Sequence, residues 1–379
     1  MNTLIKYIGL LIGLSIVILI SSCSTTSDPQ PKNVPNIPNP QKVRVVWNIS
    51  SLASGSRGSF IPCFDENAIY TADNAGDIYK IDRTDGTIIN LFRLRRSLSS
   101  GTATSSDSIF VTTTDGYLLS IDKVTGKIVW QAQLPTLSIE APQSTNGIVV
   151  LKTNDAEIIA YNATNGNILW VYQRNNPPLT LRATKTFQIV GKDVVLVGQP
   201  GGRMALINLS NGTVIWETYV AMPEGATDLD KLTDVAIRPA IDDKEICVAT
   251  YNGKLVCLNA ITSGVIWSRA FSTTYDLLIN NDSVYAISID GTIYSFDKNT
   301  GGILWQNSVL QYRSLSSPVL LGDNLLIIDS EGFINLVDKN NGALVAREKS
   351  KLQDGISLPW SDGKSAIVQS ANGNIAEIE

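Results

Sequence analysis

The chain has 379 residues, 44% hydrophobic and 17% charged, an ordinary composition for a globular protein with material for a large core. Its formal net charge is −5 with no basic run, which argues against nucleic-acid binding through phosphate neutralisation. It contains no histidine, so the commonest general base, the usual metal imidazole and every His-dependent triad are excluded.

In chain order, residues 1–22 read as a signal peptide. Lys6 supplies a positive start, and an uncharged apolar stretch from Tyr7 to Ile20 ends on small residues before Cys23. The stretch is short for a spanning helix, and the small residues mark a cleavage site. The segment Ile20-Ser21-Ser22-Cys23 resembles a bacterial lipobox, with Ile in place of the usual Leu. That resemblance implies cleavage before Cys23 and acylation of Cys23. Because Ser24 rather than Asp follows, it also implies sorting to the outer membrane, facing the periplasm. Residues 23–42 then read as a lipidated tether. Its prolines and scarce apolar side chains cannot bury enough to fold, and its expected job is to hold the body away from the lipid surface.

From residue 43 to 379 the sequence repeats. Aligned units include SIFVTTTDGYLLSIDKVTGKIVW, IVVLKTNDAEIIAYNATNGNILW and VYAISIDGTIYSFDKNTGGILW. Each has an alternating β-branched run, a Gly turn, a second run ending in Asp or Asn, another turn, and a third run closing on Trp. The turn is marked by Gly76, Gly116, Ala156, Gly202, Gly253, Gly291, Gly332 and Gly373, where Gly supplies the positive φ of a tight hairpin. Successive marks are 40, 40, 46, 51, 38, 41 and 41 residues apart, the length of a blade of four short strands. A fourth strand fits upstream of each unit, for example over 139–144. The spacing predicts an all-β protein, an eight-bladed β-propeller of four-stranded antiparallel blades. The last unit lacks its final strand, and Val43-Arg44-Val45-Val46-Trp47 supplies it, so the N-terminal strand closes the ring. Six of the seven Trp then occupy one repeated packing site between blades. The Gly-x-x-x-Trp endings resemble the PQQ-like repeat of quinoprotein propellers.

Little chemistry is visible. No Cys-x-x-Cys, G-x-S-x-G elbow or P-loop occurs, and most carboxylates sit where capping turn N–H groups is the ordinary role. Quinone-dependent dehydrogenases are the enzymatic alternative, alongside a ligand-binding periplasmic propeller. Family resemblance implies for such dehydrogenases adjacent cysteines and a calcium site, and Cys23, Cys63, Cys247 and Cys257 include no adjacent pair. The expectation is therefore no enzyme, no catalytic residue, no cofactor and no metal. Cys247 and Cys257 flank the Asn252-Gly253 turn. With a three-residue loop they face each other and can form a disulfide; otherwise they are two buried thiols. Cys63 is expected to be unpaired and in the core.

The period stretches twice, between Trp170 and Val194 and between Trp216 and Ile246. Up-and-down strand order puts both insertions on one face, side by side, as a docking surface. The first carries Leu179, Leu181 and Arg182 after a Pro-Pro step, and Arg among apolar neighbours is typical of interface hot spots. The second carries Asp228, Asp230 and Asp234 beside Leu229 and Leu232. The alternative is that the leucines pin the loops to the body and Arg182 pairs with Asp234 internally.

Leu179-Thr180-Leu181-Arg182 and Asp230-Lys231-Leu232-Thr233-Asp234-Val235, with the signal, tether and eight units in order, resemble the BamB family. That resemblance implies a lipoprotein subunit of the machinery (the BAM complex) that folds β-barrel proteins into the outer membrane. It implies that Leu179, Leu181, Arg182 and Asp234 contact a periplasmic POTRA domain of BamA, with Asp230 or Asp228 as the substitute for a second acid that the family places two positions after Asp234. Unfolded outer-membrane proteins are the implied clients. The family's second Asp is Ala236 here.

Overall fold

In the computed structural model, the described residues are 29–50, 60–183, 185–251, 253–353, 355, 359–371 and 373–379. The signal peptide and Cys23 lie outside them. Among the described residues the strands form eight four-stranded antiparallel sheets. These are the blades of an eight-bladed propeller, with blades 1 to 7 spanning 63–93, 98–133, 143–172, 187–219, 240–270, 278–307 and 319–349. Blade 8 combines 360–378 with the N-terminal strand Val45–Ile49.

Each blade follows from its pattern. In blade 4 the second and third strands, Val194–Gln199 and Arg203–Asn208, are largely buried because neighbouring blades cover both faces. The outermost strand, Val214–Tyr219, has only one covered side and alternates half-buried with exposed residues. The turn between second and third strands carries a positive φ in every blade: Gly76 at 98°, Gly116 at 84°, and Ala156 at 65° where the glycine is missing. The repeated Asp or Asn caps the next turn: Asp122 Oδ1 accepts from the N–H groups of Val124 (3.1 Å) and Thr125 (2.6 Å).

The repeated tryptophan locks blade to blade. Its indole N–H donates to the carbonyl just past the Asp or Asn of the next blade. Trp130 reaches Ala163 O at 2.9 Å, Trp170 reaches Leu209 O at 2.7 Å, and Trp267 reaches Lys298 O at 2.6 Å. The ring lies over a glycine of the same turn. A Cβ on Gly166, at φ +73°, would sit 2.6 Å from the Trp130 ring. Gly166→Ala is therefore expected to destabilise the protein by about 2–4 kcal/mol through left-handed backbone strain and overpacking. Chemical denaturation would measure it, and a change under about 0.5 kcal/mol would refute the lock. In blade 1 the equivalent register position is Asn90, paired with Lys80, and the ring over Gly126 comes from Phe92 two residues on.

The ring closes as the sequence predicts. Val45–Ile49 pairs antiparallel with Ile375–Ile378, flanked by reciprocal Arg44–Glu379 backbone hydrogen bonds of 2.8 Å. On the inner side the Thr71 hydroxyl donates to Gln369 Oε1 at 2.6 Å, buried between blades 1 and 8. The innermost strand of blade 3 is Gln143–Thr145 rather than 139–144. Pro142 has no N–H to give a ladder, and Glu140 is committed elsewhere. Residues 29–42 carry no regular strand or helix, but the segment is not free of the body: Gln41 N–H donates to Val345 O at 2.9 Å.

Strand direction separates two faces. One carries the links from each outermost strand to the next blade's innermost strand, together with the hairpin turns between second and third strands. We term it the loop face.

Candidate functional site

Both insertions lie on the loop face, residues 173–186 linking blade 3 to blade 4 and 220–239 linking blade 4 to blade 5. The first is pinned at two points. At its middle, Leu181 N–H donates to Asp234 Oδ2 at 2.6 Å, while Asp234 Oδ1 accepts from Gly201 N–H at 2.8 Å. Asp234 is only 3% exposed, and its own carbonyl accepts from Tyr251 N–H. This acid thus clasps the two insertions to each other and to the blade 4 hairpin.

At its end the loop is gripped by buried charge. The Glu140 carboxylate accepts from Thr186 N–H, from the Thr186 hydroxyl at 2.9 Å and from Phe187 N–H at 3.0 Å. The Lys152 ammonium donates to the same hydroxyl at 2.6 Å and to Gly198 O at 2.8 Å. Glu140 and Lys152 are thus joined through Thr186. Burial pushes the Glu140 carboxyl up, opposed by Lys152 and its three donors. Burial pushes the Lys152 ammonium down, opposed by Glu140 and Asp234. A crevice of about 30 Å³ between these points is lined by Glu140, Lys152, Leu181, Arg182 and Asp234. It has room for about one water and not for an organic ligand.

What projects from this frame differs from residue to residue. Leu179 is 43% exposed. Arg182 is exposed and makes no hydrogen bond or ion pair among the described residues, so it does not pair with Asp234. Leu181 is half-buried, and Leu232 is buried against the propeller. Asp230 is exposed beyond the crevice. The Thr227 hydroxyl and N–H bond its carboxylate (2.7 and 3.0 Å) and hold it below the usual carboxylate range. Ala236 is half-buried. The geometry therefore brings Leu181, Arg182 and Asp234 to one crevice, with Leu179 just before it in the same loop. Glu140, Lys152 and Thr186 were not singled out from sequence. The one available signal was Lys152 itself, the only charged residue at a strand position where the other units have Ala72, Thr112, Gly198, Ala249, Ile287, Ile328 and Gln369.

Of the cysteines, Cys247 and Cys257 are direct register partners, with Cα atoms 4.1 Å apart, and are joined by a disulfide. Cys63 is a free thiol beside the Thr102 hydroxyl, and burial pushes it up to about 12. Alkylation of the denatured, unreduced chain is expected to label Cys63 but neither Cys247 nor Cys257 until reductant is added. Labelling of all three without reductant would exclude the bond.

Comparison with known proteins places this geometry. A family model described as outer membrane protein assembly factor BamB matches residues 74–307. Proteins of that name are 37% identical in Taylorella asinigenitalis, over 96% of this chain and 95% of the relative. The Legionella pneumophila protein is 37% identical over 92% and 91%, and that of Bordetella pertussis 31% over 96% and 94%. Among solved structures, BamB from Moraxella catarrhalis superposes with a TM-score of 0.79 at 21% identity, covering 89% of this chain and all of that one. Quinohemoprotein alcohol dehydrogenase from Comamonas testosteroni superposes at 0.68 with 12% identity, over 89% of this chain and 76% of that one, a likeness of fold alone.

Proposed function

The chain belongs to the BamB family, and on that premise we propose that it is a non-catalytic scaffold subunit of the outer-membrane β-barrel assembly machinery. It docks a POTRA domain of BamA through the loop face, anchored to the outer membrane by a lipid on Cys23 and facing the periplasm. One observation carries the docking assignment. Leu179 and Arg182 project, exposed, from a loop that buried charges hold rigid at two points, and Arg182 has no partner of its own among the described residues. An apolar side chain beside an uncommitted guanidinium on a preorganised loop is the composition of an interface hot spot. Leu179, Arg182 and Asp230 are the contacting groups, while Leu181 and Asp234 set their position.

The outermost strands support a role toward clients. Val129, Ile168 and Val265 are each more than half exposed on outermost strands whose free edge pairs with no other strand among the described residues, which suits pairing with an extended, incompletely folded β-segment. The absence of histidine from the whole chain supports the non-catalytic reading. Crosslinking in envelope membranes followed by purification of the chain tests partner and compartment together. Recovery of BamA crosslinked through the 173–186 loop is expected, and crosslinks confined to the opposite face would overturn the docking assignment.

A further inference from the structure

The proline-rich segment ahead of the propeller lies on the body along a defined path. At one end, Gln41 N–H donates to Val345 O at 2.9 Å and Gln41 Oε1 accepts from Asn324 Nδ2 at 2.8 Å. Both partners are near the starts of their strands in blade 7, on the face opposite the loops. At the other end, Lys32 O accepts from Arg313 at 2.6 Å and Lys32 Nζ donates to Ser308 Oγ at 3.3 Å. Ser308 and Arg313 belong to the link between blades 6 and 7, on the loop face. Between these points Val34 packs against the cluster shared by blades 6 and 7, which includes Leu310 and Leu315, and beyond Gln41 Val43 packs against the cluster of blades 7 and 8. The segment thus crosses the propeller from face to face over blade 7. Proline suits such a path, because it stays extended at small entropic cost and needs no ladder partner.

The crossing decides where the leading end of the chain leaves the body. The Lys32 end lies on the loop face, the face on which Leu179, Met222, Leu229 and Tyr312 are exposed. We infer that residues 32–43 are an orienting strap: held against blade 7 from the cluster it shares with blade 6 at Val34 to the cluster it shares with blade 8 at Val43, the segment delivers the lipid-anchored end to the loop face and turns the docking loops toward the membrane. The stretch from Cys23 to Lys32, fully extended, reaches at most about 30 Å. A tether attached at residue 43 on the opposite face would reach about twice as far and leave either face free to point at the leaflet. The orienting part of this inference rests on the lipid-anchor reading; the strap itself does not.

The test uses the full, processed chain in lipid nanodiscs. Deuterium exchange reads the strap: the Gln41 N–H is expected to exchange at least roughly tenfold more slowly in the native chain than in Val34→Glu, with Arg313→Ala as a second release variant. Orientation is read by a fluorophore at Met222 or, on the opposite face, at Ile261, against quenchers on the lipid headgroups. The Met222 probe is expected to be quenched several-fold more than the Ile261 probe, and the difference to vanish in both release variants. A Gln41 N–H that exchanges as freely in the native chain as in the variants overturns the strap. Equal quenching at the two probes, with the N–H protected, overturns the orienting role. A chain that does not join the nanodisc overturns the anchor reading, and exchange in the same sample still decides the strap.

Discussion

Arg182→Glu is expected to release the protein from BamA while leaving the propeller folded. Arg182 is exposed and makes no hydrogen bond or ion pair among the described residues, so its replacement breaks none, and stability should stay within about 0.5 kcal/mol of the parent. The binding loss should be large. An arginine at the centre of a docking patch contributes roughly 2–4 kcal/mol, which corresponds to about 30- to 1,000-fold in Kd, and reversing the charge adds repulsion from the acid that would receive it. Leu179→Ala should cost less, because part of its surface stays wet. The measurement is co-purification with BamA from envelope membranes, followed by titration with the isolated POTRA domain. Recovery of Arg182→Glu with BamA at wild-type levels, by a variant with native thermal unfolding, would sink the assignment of this loop.

Asp234 behaves differently, and the contrast separates contact from support. Its two oxygens are spent on Leu181 and Gly201 N–H groups. Asp234→Asn keeps one acceptor oxygen and should retain part of the binding. Asp234→Ala leaves two N–H groups unsatisfied, so it should lose binding and loosen the loop together.

The fold was legible because each blade writes its physics locally. A positive-φ turn demands Gly, a capped turn demands Asp or Asn, and a ring that must cover the next blade's glycine demands an aromatic. Their offsets repeat, so the count of blades and the closing strand could be read without knowing any long-range contact. The lapses have the same cause. Blade 1 carries its ring at Phe92 instead of at the register position Asn90, and only the packing over Gly126 reveals the substitution. The site was half legible. Leu179 and Arg182 stand where the period fails, which singled them out. The depth of Asp234 was not legible, because an insertion has no period from which facing can be inferred. Nor was the Glu140–Thr186–Lys152 grip, whose members lie on blade 3 and at the entry to blade 4 and meet only once the blades stack.

That grip carries the second large effect. Glu140→Ala is expected to destabilise the protein by about 3–5 kcal/mol, because it strands the Lys152 ammonium in the interior and orphans two N–H groups. Thr186 and Phe187 N–H should lose exchange protection, and the loop that presents Arg182 should loosen with them. The pH dependence has a definite sign. In the native chain burial already holds the Lys152 ammonium below its ordinary value, with Glu140 its strongest counterweight. Without Glu140 it falls further, so the unfolded chain binds this proton more tightly than the folded one. Stability of the variant should then rise with pH from neutrality toward lysine's ordinary range and fall as pH is lowered. A second change, Lys152→Met in the same chain, removes the stranded charge and should recover the part of the loss that it caused, leaving the cost of the orphaned Thr186 and Phe187 N–H groups. Denaturant unfolding of the two single variants and the double variant at two pH values measures all of this. If Glu140→Ala unfolds within about 1 kcal/mol of the parent and gains nothing from Lys152→Met, Glu140 and Lys152 are not coupled, and the rigidity of the docking loop must come from Asp234 alone.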